Sequence, residues 1–160
     1  MRALYKVDSG ADVGLVAATA KSVLGIRAGA TFGLDLAMWG VSFDASGATA
    51  PTNEPVLAEL CYCTFATNAT PGTNNTTETP VQLGGRVMAH GMTAMSAWTA
   101  GNEPTALTVL DEFLCHGQQG FKEFMGLGQE FDTDLNHGFV IRLTSPAVVN
   151  ARPTLRVYRN

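Results

Sequence analysis

The stretch Val149-Asn150-Ala151-Arg152-Pro153-Thr154-Leu155-Arg156-Val157 decides the fold, because apolar and polar side chains alternate along it without a break in phase. Val149, Ala151, Leu155 and Val157 share one face and Asn150, Arg152, Thr154 and Arg156 the other. That period of two belongs to a β-strand with one dry face and one face that is wet or paired with acids. Pro153 has no N–H to give to a ladder, which places it at a sheet edge or a bulge. Just upstream, Phe139, Ile141 and Leu143 alternate with Val140, Arg142 and Thr144, and Ser145-Pro146 supplies turn chemistry, so the two runs read as a hairpin.

Outward from there, period two recurs and helical periodicity does not. Ala37, Trp39, Val41 and Phe43 line one face of a strand that begins near Thr31 and ends at an Asp44-Ala45-Ser46-Gly47 turn. Val56 to Ala66 is apolar on both faces, with Val56, Ala58, Leu60 and Tyr62 on one and Leu57, Cys61, Cys63 and Phe65 on the other. A strand of that kind is buried twice, and in a sandwich of this size self-association is one way to cover the second face. Leu4 to Val7, Lys21 to Arg27, Ala106 to Leu114 and Phe121 to Met125 complete the set, with Gly117-Gln118-Gln119-Gly120 as a connecting turn. Thr67 to Pro80 is a polar tract that reads as an exposed loop, and Gly84 to Pro104 reads either as a short helix or as an irregular packed loop. The expected fold is therefore all-β, an antiparallel jelly-roll sandwich of about eight strands in a single domain over residues 1–160.

Composition narrows the function classes. The chain has 160 residues, ten basic against fourteen acidic, and only 15% charged residues. A net charge of −4 argues against nucleic acid and against a polybasic membrane patch. No signal peptide is read at the charged start Met1 to Asp8, and the longest uncharged, mostly apolar run, Leu36 to Phe43, is far too short to cross a membrane. Three cysteines do not make a disulfide framework.

No motif of reaction chemistry stands out, and the expectation is a protein with no catalytic residue, no metal and no cofactor. His90, His116 and His137 each precede a glycine at or beside a turn, and no two share a face of one element. Cys61 and Cys63 share a strand face but lack the spacing of a metal site, so they and Cys115 read as core residues. The acids Asp111 and Glu112, and Glu130, Asp132 and Asp134, are the only carboxylate clusters, and a solvated strand end and an acidic loop account for them. Glu59 lies in an otherwise apolar strand and needs a buried partner, for which Arg86 and Arg142 are the candidates.

The runs EPVLAELCYCTFATNATPGTNNTTETP, NEPTALTVLDEFL and GFVIRLTSPAVVNARPTLRVY together resemble small structural proteins of tailed bacteriophages, of the capsid decoration or minor head kind, over most of the chain from about Lys21. The resemblance implies a jelly roll related in outline to tumour-necrosis-factor-like homotrimers, located on the virion exterior, with the major capsid protein shell as partner and no enzymatic activity. On that expectation Trp39, Tyr62 and Phe65 contribute either to subunit contacts or to the sandwich core. The arm Met1 to Asp12, with Arg2, Leu4, Tyr5 and Lys6, is a candidate for clasping the capsid by strand addition. The rival expectation is a head-fibre or tail module that binds host glycans through loops such as Thr67 to Pro80.

Overall fold

The structure, a computed structural model, describes residues 2–44 and 54–160. Twelve strands are present among them: β1 (Ala3–Asp8), β2 (Val13–Leu15), β3 (Ala20–Arg27), β4 (Leu34–Asp44), β5 (Pro55–Cys63), β6 (Thr76–Glu78), β7 (Val81–Gly84), β8 (Thr93–Ser96), β9 (Leu107–His116), β10 (Phe121–Phe124), β11 (Gly138–Thr144) and β12 (Val149–Arg159). They form two antiparallel six-stranded sheets. One runs β10-β4-β12-β1-β7, with β2 also on β12; the other runs β6-β8-β3-β11-β5-β9. There is no helix among the described residues, and none long and apolar enough to cross a membrane.

The alternation along β12 is realised residue by residue. Val149, Ala151, Pro153, Leu155 and Val157 are buried while Asn150, Arg152, Thr154 and Arg156 are not. Pro153, however, sits at neither a sheet edge nor a bulge. It lies inside a central strand, paired with Val41 of β4, and on the other side it falls between the stretch that pairs with β2 (149–151) and the stretch that pairs with β1 (from Thr154). A residue without an N–H is tolerated where the ladder changes partner. The expected hairpin is also absent: β11 belongs to the second sheet and β12 to the first, so Ser145-Pro146 leads the chain across the sandwich.

Along β4 the register against β12 shifts between Met38 and Leu36, leaving Ala37 as the bulged residue. The inward face is therefore Leu34 and Leu36 before the bulge, then Trp39, Val41 and Phe43 after it. Beyond Asp44, the turn expected at Ala45-Ser46-Gly47 lies outside the described residues.

The segment expected to act as a free arm is an interior strand. Residues 3–8 form β1, hydrogen-bonded to β12 on one side and β7 on the other, with Ala3, Tyr5 and Val7 in the core. Leu4, Tyr5 and Lys6 are committed to the fold, because they carry the ladder between β12 and β7 and Tyr5 sits in the core, while Arg2 stands just before the strand and pairs with Asp35 and Glu130.

The main core lies between the sheets. A second, smaller core covers the outer face of the second sheet, made by Cys61, Cys63 and Val140 with Met95, Phe65 and Trp98. The chain thus buries both faces of β5 by itself. Gly25 on β3 makes room for it: a Cβ there would stand 2.8 Å from the Trp98 ring and 3.4 Å from Phe65. Two non-glycine residues in the left-handed region, Phe65 (φ 51°) and Ala97 (φ 50°), turn the chain back over the sheet at the ends of β5 and β8. The covering segments are fastened by Trp98 Nε1 donating to the Asn68 carbonyl (3.2 Å), Asn68 Nδ2 donating to the Glu103 carbonyl (3.0 Å) and the Ser22 N–H donating to the Glu103 carboxylate (3.0 Å). The tract Thr67 to Pro80 is exposed along most of its length, yet it contains β6 and forms part of this cover.

Trp98→Ala should lower stability by about 3–5 kcal/mol, the usual range for emptying an aromatic core position. Urea unfolding followed by far-UV circular dichroism measures it, and a loss below about 1 kcal/mol would show that the second core carries little of the fold.

Candidate functional site

The outer face of the first sheet is the candidate site. Cross-strand register sets Phe124, Met38, Arg156 and Lys6 in one row and Lys122, Gly40, Thr154 and Asp8 in the next, with Ser42 opposite Arg152 in the third. Small side chains at Gly40 and Ser42 leave a hollow, over which the stem of Lys122 lies close enough that a Cβ on Gly40 would meet its Cγ at 2.9 Å. The result is a cavity of about 270 Å³ ringed by Lys6, Lys122, Arg152 and Arg156 and floored by Met38. A second cavity of about 220 Å³ adjoins it, shares Met38 and Arg156, and is lined by Leu4, Phe124, Leu127 and Tyr158.

The four cations differ in their commitments. Lys6 pairs with Asp8 at 2.5 Å and Arg152 pairs with Asp12. Lys122 and Arg156 have no ion-pair partner among the described residues. Arg156 leans toward the Phe124 ring at 5.9 Å, and its Nε is buried without a hydrogen-bond acceptor. Cations of this kind remain free to meet an anionic group.

The rim of the second sheet is the opposite in charge. β9 is an edge strand whose pairing with β5 shifts at Leu60/Cys61, leaving Leu110 bulged. Its outward side carries Leu114 (71% exposed), Glu112 and Val109, while Asp111 and Phe113 turn inward at the mouth between the sheets. There Phe113, Phe121 and Trp39 pack together, Phe121 edge-on to Trp39 and the other pairs tilted, with centroids 4.7–5.8 Å apart. Glu123 of β10 faces the same mouth: burial, then Asp111, raises its carboxyl above the ordinary value, and the Trp39 indole opposes the shift. The contact is looser than a closed hydrogen bond, since Glu123 Oε2 and Trp39 Nε1 have no partner at bonding distance.

The residues singled out from the sequence are dispersed. Trp39 is fully buried in the main core and Phe65 is buried in the second. Tyr62 is partly exposed and its hydroxyl meets Nδ1 of His137. Glu59 is bound by Arg142 through two bonds of 2.8 Å, and Arg86 lies elsewhere on an exposed loop. That pairing offsets a like-charge neighbour, because Glu112 lies directly opposite Glu59 on β9. His90 engages the Met92 backbone of its own loop, and His116 Nδ1 accepts from the Gln118 N–H in the turn before β10. Glu130 accepts from the Gly128 N–H at 2.6 Å and pairs with Arg2, whereas Asp134 is exposed. Cys61, Cys63 and Cys115 are buried thiols, each pushed up to about 11 by burial. Among the described residues no group of three or more His, Cys, Asp or Glu side chains is placed to hold a metal ion.

Lys122, Glu123 and Arg156 were not singled out, because their significance depends on register between strands distant in sequence. The one available signal was the wet-face alternation that set Arg152 and Arg156 on a common face. No protein-family model, curated protein or solved structure matches the chain.

Two predictions follow from these charges. Arg142→Ala leaves Glu59 buried beside Glu112 and should cost about 3–5 kcal/mol, while the double change Glu59→Gln with Arg142→Met should cost clearly less; urea unfolding of the three proteins measures both. For Glu123, the folded state holds its proton in a pH range where the unfolded state has lost it. Stability should therefore fall as pH rises from the ordinary carboxylate range through the raised value, and Glu123→Gln should flatten that fall. Unfolding midpoints across about pH 4 to 8 would show it, and identical slopes for the two proteins would refute it.

Proposed function

We propose that this chain is a non-enzymatic structural protein of a bacteriophage virion, which decorates and stabilises the capsid exterior as a homotrimer. The strand order supports reading the sandwich as a jelly roll: with β2, β6, β7 and β8 set aside, the sheets run β10-β4-β12-β1 and β3-β11-β5-β9, so the chain crosses repeatedly between them. The resemblance to decoration proteins supplies the virion and the shell.

One observation carries the assembly half of the reading. A face with two cations that have no ion-pair partner among the described residues, beside an apolar pocket, and an edge that carries Glu112 beside exposed Leu114 and Val109, occupy different parts of one molecule. Lys122 and Arg156 suit Glu112 of a neighbouring copy, and Leu114 suits the hollow lined by Phe124 and Leu127. A contact between unlike patches is heterologous, and around a threefold axis it closes into a ring. Such a ring covers the edge of β9, which would otherwise remain open to uncontrolled strand pairing. A trimer that binds only assembled shells then stabilises them by mass action.

Light scattering behind a sizing column should give three times the chain mass. Lys122→Glu should shift it toward the monomer, with about a tenfold or larger loss of self-affinity, and adding Glu112→Lys to that variant should restore the trimer. Co-sedimentation with purified undecorated shells of the parent phage tests the partner, and a trimer that leaves those shells bare would overturn the decoration role.

A further inference from the structure

We propose that a pocket at the end of the first sheet, where β1, β12 and the loop after β7 meet, binds a small organic oxyanion, a carboxylate or phosphate ester with an apolar body. Its volume is about 370 Å³, and its wall includes Arg2, Arg86, Arg159, Phe32, Met88 and Thr31. That size lies in the range of small-molecule sites. Three of the chain's ten basic residues meet there, in a protein whose net charge is −4. Among the described residues no Asp or Glu lines the pocket.

The walls are held before any ligand arrives. Arg2 is fixed by Asp35, by Glu130 at 3.2 Å and by stacking at 4.6 Å on Tyr158. Arg159 lies 4.0 Å from the Phe32 ring centroid, and its Nη1 donates to the Ala89 carbonyl at 2.5 Å. The rest of its fork is uncommitted to any acid among the described residues. The loop that carries Arg86 is tied down at three carbonyls: Gln82 donates to Arg86 O at 2.7 Å, Tyr5 to Met88 O at 2.7 Å and Arg159 to Ala89 O. Gly85, at φ 91°, lets this loop touch the N-terminal strand, since a Cβ there would stand 2.4 Å from the Arg2 carbonyl.

Two of the three guanidiniums, Arg86 and Arg159, have no acidic partner among the described residues. A fork of guanidiniums matches carboxylate and phosphate oxygens by paired, charge-assisted hydrogen bonds. Phe32 and Met88 supply an apolar wall beside that fork, which favours a ligand with a ring or aliphatic body over a bare ion. Arg2 and Arg159 are held in place already, which reduces what ordering the site would cost on binding.

The experiment is calorimetric titration of the full chain at low ionic strength with phenyl phosphate, benzoate and inorganic phosphate. The expected result is saturable binding of phenyl phosphate or benzoate, tighter than inorganic phosphate, weakened by added salt and reduced about tenfold or more by Arg86→Gln. Arg86 is exposed and holds the loop only through its backbone, so the variant should keep the melting temperature of the parent. Lys6→Gln, which alters the other cationic hollow, should leave binding unchanged. Absence of saturable binding by all three probes would overturn the assignment, as would affinities unmoved by Arg86→Gln or lowered equally by Lys6→Gln.

Discussion

Everything in this molecule depends on the packing of Trp98 and Phe65 onto Gly25, because the second sheet is apolar on both faces and only one face meets the other sheet. A sheet with Cys61, Cys63, Val140 and Met95 facing outward is not stable in water unless something covers it. The chain supplies the cover, at the cost of four non-glycine residues in left-handed backbone, Phe65, Asn68, Asn74 and Ala97. Any side chain larger than glycine at position 25 would lift the indole off the sheet and expose the thiols beneath. The long connections after β5 and β8 are therefore structural, and the polar tract between residues 67 and 80 serves as part of a lid.

The lid has a limited reach, and this determines where reactive surface remains. It ends near Leu107, so the rest of β9 keeps its edge and its outward Leu114 and Glu112 in solvent. The first sheet has no lid, and its outer face follows the wet side of β12, which places Arg152 and Arg156 beside Lys6 and Lys122. Partly or fully exposed cations of this sort contribute little to folding. Their energetic value lies in what they leave available, since an unpaired arginine beside an apolar hollow favours a partner that brings a carboxylate and an aliphatic side chain together.

The sequence made the class legible through β12, where the period of two holds over nine residues, and through β11, whose two faces alternate as written. It misled where one residue changes phase. Ala37 bulges, and the inward face of β4 passes from Leu36 to Trp39, which no count of alternation reveals. It also misled where a central strand changes partner, since Pro153 looks like an edge residue until the gap between β2 and β1 is seen. The doubly apolar run of β5 implies burial on both faces, but the cover comes from the chain's own Phe65 and Trp98 and not from a neighbouring subunit, and it depends on Gly25, a position with no side chain to attract notice. The cationic hollow was invisible for a related reason. Lys6, Lys122 and Arg156 come from three strands, and only register brings them together.

The two cationic sites differ in a way that bears on what each can recognise. In the arginine pocket the guanidiniums of Arg2 and Arg159 are already stacked on rings and bonded to backbone or acids, so little rotamer freedom remains to be lost. That geometry suits a small ligand, whose few contacts cannot offset a large ordering cost. On the outer face of the first sheet, Lys122 has no ion-pair partner among the described residues and Arg156 leans toward a ring at 5.9 Å, so both adjust to the surface that approaches. A broad protein contact can order such side chains because it buries apolar area at Phe124 and Leu127 at the same time. The same residue type is thus prepared for two kinds of partner by how firmly its own chain holds it.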